Sequence, residues 1–129
     1  MTGYPQFNIP LFDRVTKALR ERGYDVISPA ELDDQGTRKA ALASEDGAPG
    51  SGSTNGETWG DFLARDVKII ADQVDAVLLL PGWHRSRGAR LEAFVAIECG
   101  HKLYEIYTRH YALIEIDPSN ALVVMETSL

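Results

Sequence analysis

The chain has 129 residues, 44% of them hydrophobic, with a formal net charge of −6. That length supplies the core of one domain and leaves no room for a second, so residues 1–129 read as a single domain. The acidic balance, without a basic stripe, argues against nucleic acid or an acidic membrane surface as partner, and no stretch reads as a signal peptide or a membrane span.

Near the start, Asn8 has two readings: a hydrogen bond to substrate, or an Asx contact that pins the first turn. Pro10 opens a helix in which Leu11, Phe12, Val15 and Leu19 form an apolar stripe, and Gly23 ends it. Residues 24–27 read as a short strand leading to Ser28-Pro29. Residues 44–58, SEDGAPGSGSTNGET, are rich in Gly and Ser and lack apolar periodicity, which predicts a mobile loop. Such a loop is either a lid over a site or an insertion without a role.

Trp59, Phe62, Leu63, Val67 and Ile70 then follow the rhythm of an amphipathic helix, and Asp66 occupies the place where a further apolar residue belongs. Asp66 therefore points inward, where a carboxylate needs a partner or a ligand. Capping of a neighbouring backbone turn is its structural alternative. Asp61, Lys68 and Asp72 read as solvated or terminal charges.

Residues 75–92, DAVLLLPGWHRSRGARLE, run a strand into a short polar loop and then into a helix. The apolar run 76–80 is what a parallel strand covered on both faces requires, and Pro81-Gly82 stops it. Ser86 is a candidate N-cap that would leave the amides of Gly88 and Ala89 facing an anion, and Gly88 lets a ligand approach the backbone. Arg85, Arg87 and Arg90 form a local cluster, suited to one phosphate or simply solvated. Trp83 either stacks on a nucleobase or covers the loop.

On a helix over about 87–99, Arg90 and Glu98 lie roughly 80° apart and mark the solvent face, while Glu92 lies roughly 120–160° from both. Glu92 thus faces Val95, Ala96 and Cys99, the cysteine being read as core. One turn from the positive helix end, its carboxylate would stay ionised and suit a nucleophile or an electrostatic stabiliser, or else merely complement the dipole. Two inward acids beside an anion pocket are what glycosidic bond cleavage needs, which predicts Asp66 and Glu92 within about 10 Å of each other. His84, His101 and His110 are not spaced as metal ligands, so no metal and no cofactor is expected. The lone Cys99 cannot close an intrachain disulfide, which suits a cytoplasmic location. Residues 103–107 read as the next strand. Residues 112–116 and 121–125 flank Asp117-Pro118-Ser119-Asn120 as an edge hairpin, or as a strand and a tail.

Three elements together, MTGYPQFNIPLF at residues 1–12, Trp59 with Asp66, and DAVLLLPGWHRSRGARLE at 75–92, resemble the nucleoside 2-deoxyribosyltransferase-like proteins, most closely their small, often phage-encoded branch. The resemblance covers about residues 1–107. It implies a three-layer, flavodoxin-like α/β fold with a mainly parallel sheet of about 4–5 strands. In that family a strand and a Gly-Pro turn precede the MTG segment, so the reading expects the family's first strand to be lacking here. By the resemblance Glu92 matches the catalytic glutamate and Asp66 the aspartate that orients substrate. Ser86 and Gly88 match the phosphate site of the 2'-deoxynucleoside 5'-monophosphate N-glycosidases, with Arg90, Gly3, Asn8 and Trp83 joining the substrate-binding set. The implied activity is hydrolysis of a nucleoside or nucleotide N-glycosidic bond, or 2-deoxyribosyl transfer to a second base. The alternatives are a nucleotide-binding module that senses or sequesters without turnover, and a purely structural protein. A sheet short of one strand also predicts a homodimer or larger assembly, with the amino-terminal segment or residues 107–129 in the contact.

Overall fold

A computed structural model of the chain describes residues 9–32, 58–107 and 109–127. The chain divides into two compact units, Met1–Phe62 and Leu63–Leu129. Gly3, Asn8 and almost all of the 44–58 segment lie outside the described residues.

In the first unit, α1 (Ile9–Glu21) buries Ile9, Val15, Thr16 and Leu19 on one face. It ends as Gly23 leads one to expect. Gly23 adopts φ 90°, its amide donates to the Arg20 carbonyl at 3.0 Å, and the Tyr24 amide reaches back to the Leu19 carbonyl at 3.1 Å. This pair of bonds around a left-handed glycine satisfies carbonyls that the helix end would otherwise leave bare. A strand does not follow, contrary to the sequence reading. Residues 24–28 are irregular, with Tyr24 exposed and the Val26 carbonyl taken by the Arg20 guanidinium at 2.8 Å. The side chain of α1 has claimed the backbone that a ladder would need. The one-turn α2 (Pro29–Leu32) follows, and Ala30 packs with Ile9 and Phe12.

Helix α3 (Trp59–Gln73) begins with a reciprocal cap: Thr58 N–H donates to Asp61 Oδ2 at 2.8 Å, and Asp61 N–H donates to Thr58 Oγ1 at 3.1 Å. The Thr58 backbone amide first, and the Thr58 hydroxyl second, hold the Asp61 carboxyl below the usual carboxylate range by hydrogen bonding to it. Of the apolar stripe expected on α3, Ile70 is buried, Phe62, Leu63 and Val67 are partly so, and Trp59 is exposed. Trp59 is the first helical residue.

The second unit is α/β. Strand β1 (Ala76–Leu79) pairs in parallel with β2 (Lys102–Tyr107), which pairs antiparallel with β3 (Ala112–Ile116), in the order β1-β2-β3. The parallel pair is joined through a 3-10 turn at Trp83–Arg85 and helix α4 (Arg87–Glu98), which packs on both strands. Crossing back to a parallel neighbour requires such a helix. The core gathers Ile70 of α3, Val77 and Leu79 of β1, Trp83, Ala93 and Ala96 of α4 and Leu103 of β2.

The final element departs from the sequence reading. Residues 118–127 form helix α5 (Pro118–Thr127), not the second arm of a hairpin. Asp117 Oδ1 accepts the Ser119 amide at 2.8 Å and the Asp117 carbonyl accepts the Ala121 amide at 3.1 Å, so Asp-Pro acts as N-cap and first helical residue rather than as a turn. Ala121 and Met125, four apart on one face of the helix, reach the core. Among the described residues no helix is long and apolar enough to cross a membrane.

Candidate functional site

Helices α3 and α4 bring Asp66 and Glu92 into direct hydrogen-bond contact. Asp66 reaches this position because it replaces an apolar residue on the packed face of α3, four residues before the buried Ile70. Glu92 reaches it from the flank of α4, one position before the fully buried Ala93. The Arg65 guanidinium completes the cluster, with Nε donating to Asp66 Oδ1 at 3.1 Å. The side chains of Arg65 and Asp66 are 26% and 15% exposed, so the ion pair is shielded from bulk water.

The electrostatics differ from the sequence expectation that Glu92 stays ionised. Burial pushes the Glu92 carboxyl up to about 7, and the charge of Asp66 and the hydrogen bond to it push the same way, against a weaker pull from Arg65. Somewhat below neutral pH the pair therefore shares about one proton. The helix dipole loses to desolvation here because Glu92 sits in the second turn of α4, where the dipole has faded.

Contact also sets the geometry apart from carboxyl pairs that flank a scissile bond, which stand roughly 5–9.5 Å apart. Two carboxyls in mutual contact leave no room for a sugar between them.

The start of α4 matches its sequence signature. Ser86 is the N-cap, with Oγ accepting the Ala89 amide at 3.3 Å. Of the two amides expected to face an anion, that of Ala89 is thus engaged by the cap, and Gly88 remains beside it on the helix.

Two other expected site residues, Trp83 and Arg90, lie elsewhere. Trp83 is 3% exposed within the hydrophobic core, so it covers the loop and does not present a face for stacking. His84 stands edge-on to it, ring centroids 6.2 Å apart. Arg90, assigned to the solvent face and to phosphate, is partly buried and donates from Nη2 to the Met125 carbonyl of α5 at 3.2 Å. Cys99, read as core, is exposed, because it is the C-cap of α4 and the chain leaves the helix axis there.

Arg65 was invisible to an apolar-periodicity reading, which scores only the residues facing inward. The signal that would find it is a basic residue adjacent to an inward acid. Among the described residues no group of three or more His, Cys, Asp or Glu side chains could hold a metal ion. An open groove of about 490 Å³ lies in the first unit, lined by Asp13, Thr16, Lys17, Arg20, Glu21 and Glu31, and it contains none of the expected site residues.

Residues 49–105 match the model of a domain of unknown function, DUF4406, a span that includes Arg65, Asp66 and Glu92. No curated protein and no solved structure matches the chain.

Proposed function

We propose that this protein cleaves the N-glycosidic bond of a nucleoside or nucleotide, with Glu92 as nucleophile and Asp66 as its proton partner. The observation that carries the reading is the half-buried Asp66–Glu92 contact with a carboxyl pushed up to about 7. The resemblance of residues 1–12, Trp59 with Asp66, and 75–92 to the nucleoside 2-deoxyribosyltransferase-like proteins gives it its substrate class.

Attack on C1' requires the Glu92 carboxylate, so the shared proton moves to Asp66 as the Glu92 oxygen bonds to carbon. The C1'–N bond breaks, and its electron pair takes that proton to leave a neutral base, an ionised Asp66 and a glycosyl ester on Glu92. Water then hydrolyses the ester and returns the proton to the pair. A second base in place of water gives 2-deoxyribosyl transfer. The 5'-phosphate of a nucleotide would sit at the start of α4, against Ser86 and Gly88. With this reading go a flavodoxin-like sheet of more strands than β1, β2 and β3, a cytoplasmic location and assembly into a homodimer or larger.

A nucleotide-binding module without turnover is the second reading, favoured by the proton on Glu92, since a neutral carboxyl is not a nucleophile. Isothermal titration against a nucleotide panel, followed by chromatography for free base, separates the two. Base release that disappears in Glu92→Gln supports the enzyme. Binding without release supports the module, and no binding at all overturns both.

A further inference from the structure

The Arg65–Asp66–Glu92 row is ordered, with the Arg65 guanidinium against Asp66. The guanidinium is in contact with Asp66 at 3.1 Å, whereas its effect on Glu92 is coulombic. Coulomb energy falls with distance and gains weight where water is scarce, so the contacted carboxylate gains more from the cation than the one behind it. Two hydrogen-bonded carboxyls cannot both ionise at low cost, and one proton must stay with the pair.

We propose that Arg65 is a positioning residue that holds the negative charge of the pair on Asp66 and thereby places the shared proton on Glu92. Among the described residues the charged groups acting on Glu92 are Asp66 and Arg65, both from α3. Within this row the charges are then Arg65⁺, Asp66⁻ and neutral Glu92-H. Its consequence for chemistry rests on the N-glycosidase reading: Glu92 becomes a nucleophile only when its proton crosses to Asp66, and Arg65 sets how readily it does. An aspartate that merely oriented substrate would not need a cation on its shielded side. A proton-ordering role does.

The test is carboxyl ¹³C NMR on the full chain, ligand-free, with labelled Asp and Glu, from pH 4 to 9. The expected wild-type result at pH near 6 is a protonated Glu92 and an ionised Asp66. The reverse order, read on the wild type alone, overturns the proposal whatever the variants do. In Arg65→Gln the proton spreads to Asp66 and the upper titration step of the pair rises by about one pH unit, because an opposite charge in contact has been removed. Arg65→Lys restores the wild-type order. Unchanged carboxyl titrations in a folded Arg65→Gln protein overturn the proposal as well. Wherever base release is measurable, its pH profile shifts in Arg65→Gln by the same amount and in the same direction. If the wild type releases no base from any nucleotide, the enzymatic reading fails while the titrations still decide the placement of the proton.

Discussion

The Arg90 guanidinium ends on the Met125 carbonyl, tying α4 to a helix that starts 28 residues later in the chain (118 − 90). Arg90→Gln therefore loosens α5. The expected cost is about 1–2 kcal/mol, a charge-assisted hydrogen bond in a partly wet setting. Hydrogen exchange should quicken across residues 119–127, while affinity for any nucleotide the protein binds stays within twofold. A loss of affinity with α5 exchange unchanged would return Arg90 to the phosphate site.

Glu92 makes folding stability depend on pH, and its sign is fixed. Its carboxyl titrates near 4.5 when unfolded and at about 7 when folded, so between those values the folded state holds a proton that the unfolded state has lost. The contribution is fully present below about 4.5, declines as pH rises and is gone above about 7. Its size is on the order of 2–3 kcal/mol. Glu92→Gln, whose amide can donate to Asp66 at any pH, should flatten this dependence. Melting temperatures at pH 5 and pH 8 check it, and an equal slope in both proteins would contradict the burial of Glu92.

Trp83 closes the core between β1 and α4, and Trp83→Ala should cost about 3–5 kcal/mol in urea unfolding. Trp83→Phe, which keeps most of the volume, should cost far less and leave nucleotide binding intact. Weakened binding at unchanged stability would show that the indole faces ligand.

Gly100 adopts φ 74°, and a Cβ built there meets no atom within 4 Å. The cost of Gly100→Ala is then backbone strain alone, about 1 kcal/mol, with Gly100→Asn costing less because asparagine tolerates that region. Thermal denaturation of the two variants should rank them in that order.

Much of the site was legible because its signals are local. The 76–80 run, the Ser86 cap and the two inward acids each depend on a few neighbouring residues, and the period of a helix alone places Asp66 and Glu92 on packed faces. The failures share a different cause. Residues 121–125, Ala-Leu-Val-Val-Met, carry strand-like β-branched residues, yet the Asp117 cap starts a helix there. Cys99 satisfies the helical rhythm but sits where the helix stops. Residues 24–27 look like a strand and lose their ladder to the Arg20 side chain. The protonation of Glu92 lay beyond any pattern, since it depends on how much water two separate helices exclude together.

The turn that ends α4 reaches back to α3. The Gly100 amide donates to the Ile97 carbonyl at 3.0 Å, the His101 amide donates to the Ala96 carbonyl at 2.9 Å, and His101 Nε2 lies 2.8 Å from the Ile70 carbonyl. A carbonyl only accepts, so Nε2 carries the hydrogen and the ring is fixed as that tautomer. Ile70 is one helical turn, about 6 Å, beyond Asp66 on α3, and His101 stands just past the end of α4, the helix that carries Glu92. The imidazole is thus a strut clamping the far ends of two levers whose near ends are the two carboxyls. The spacing of the two helices that carry the carboxyls is thus held at a second point, away from the shared proton.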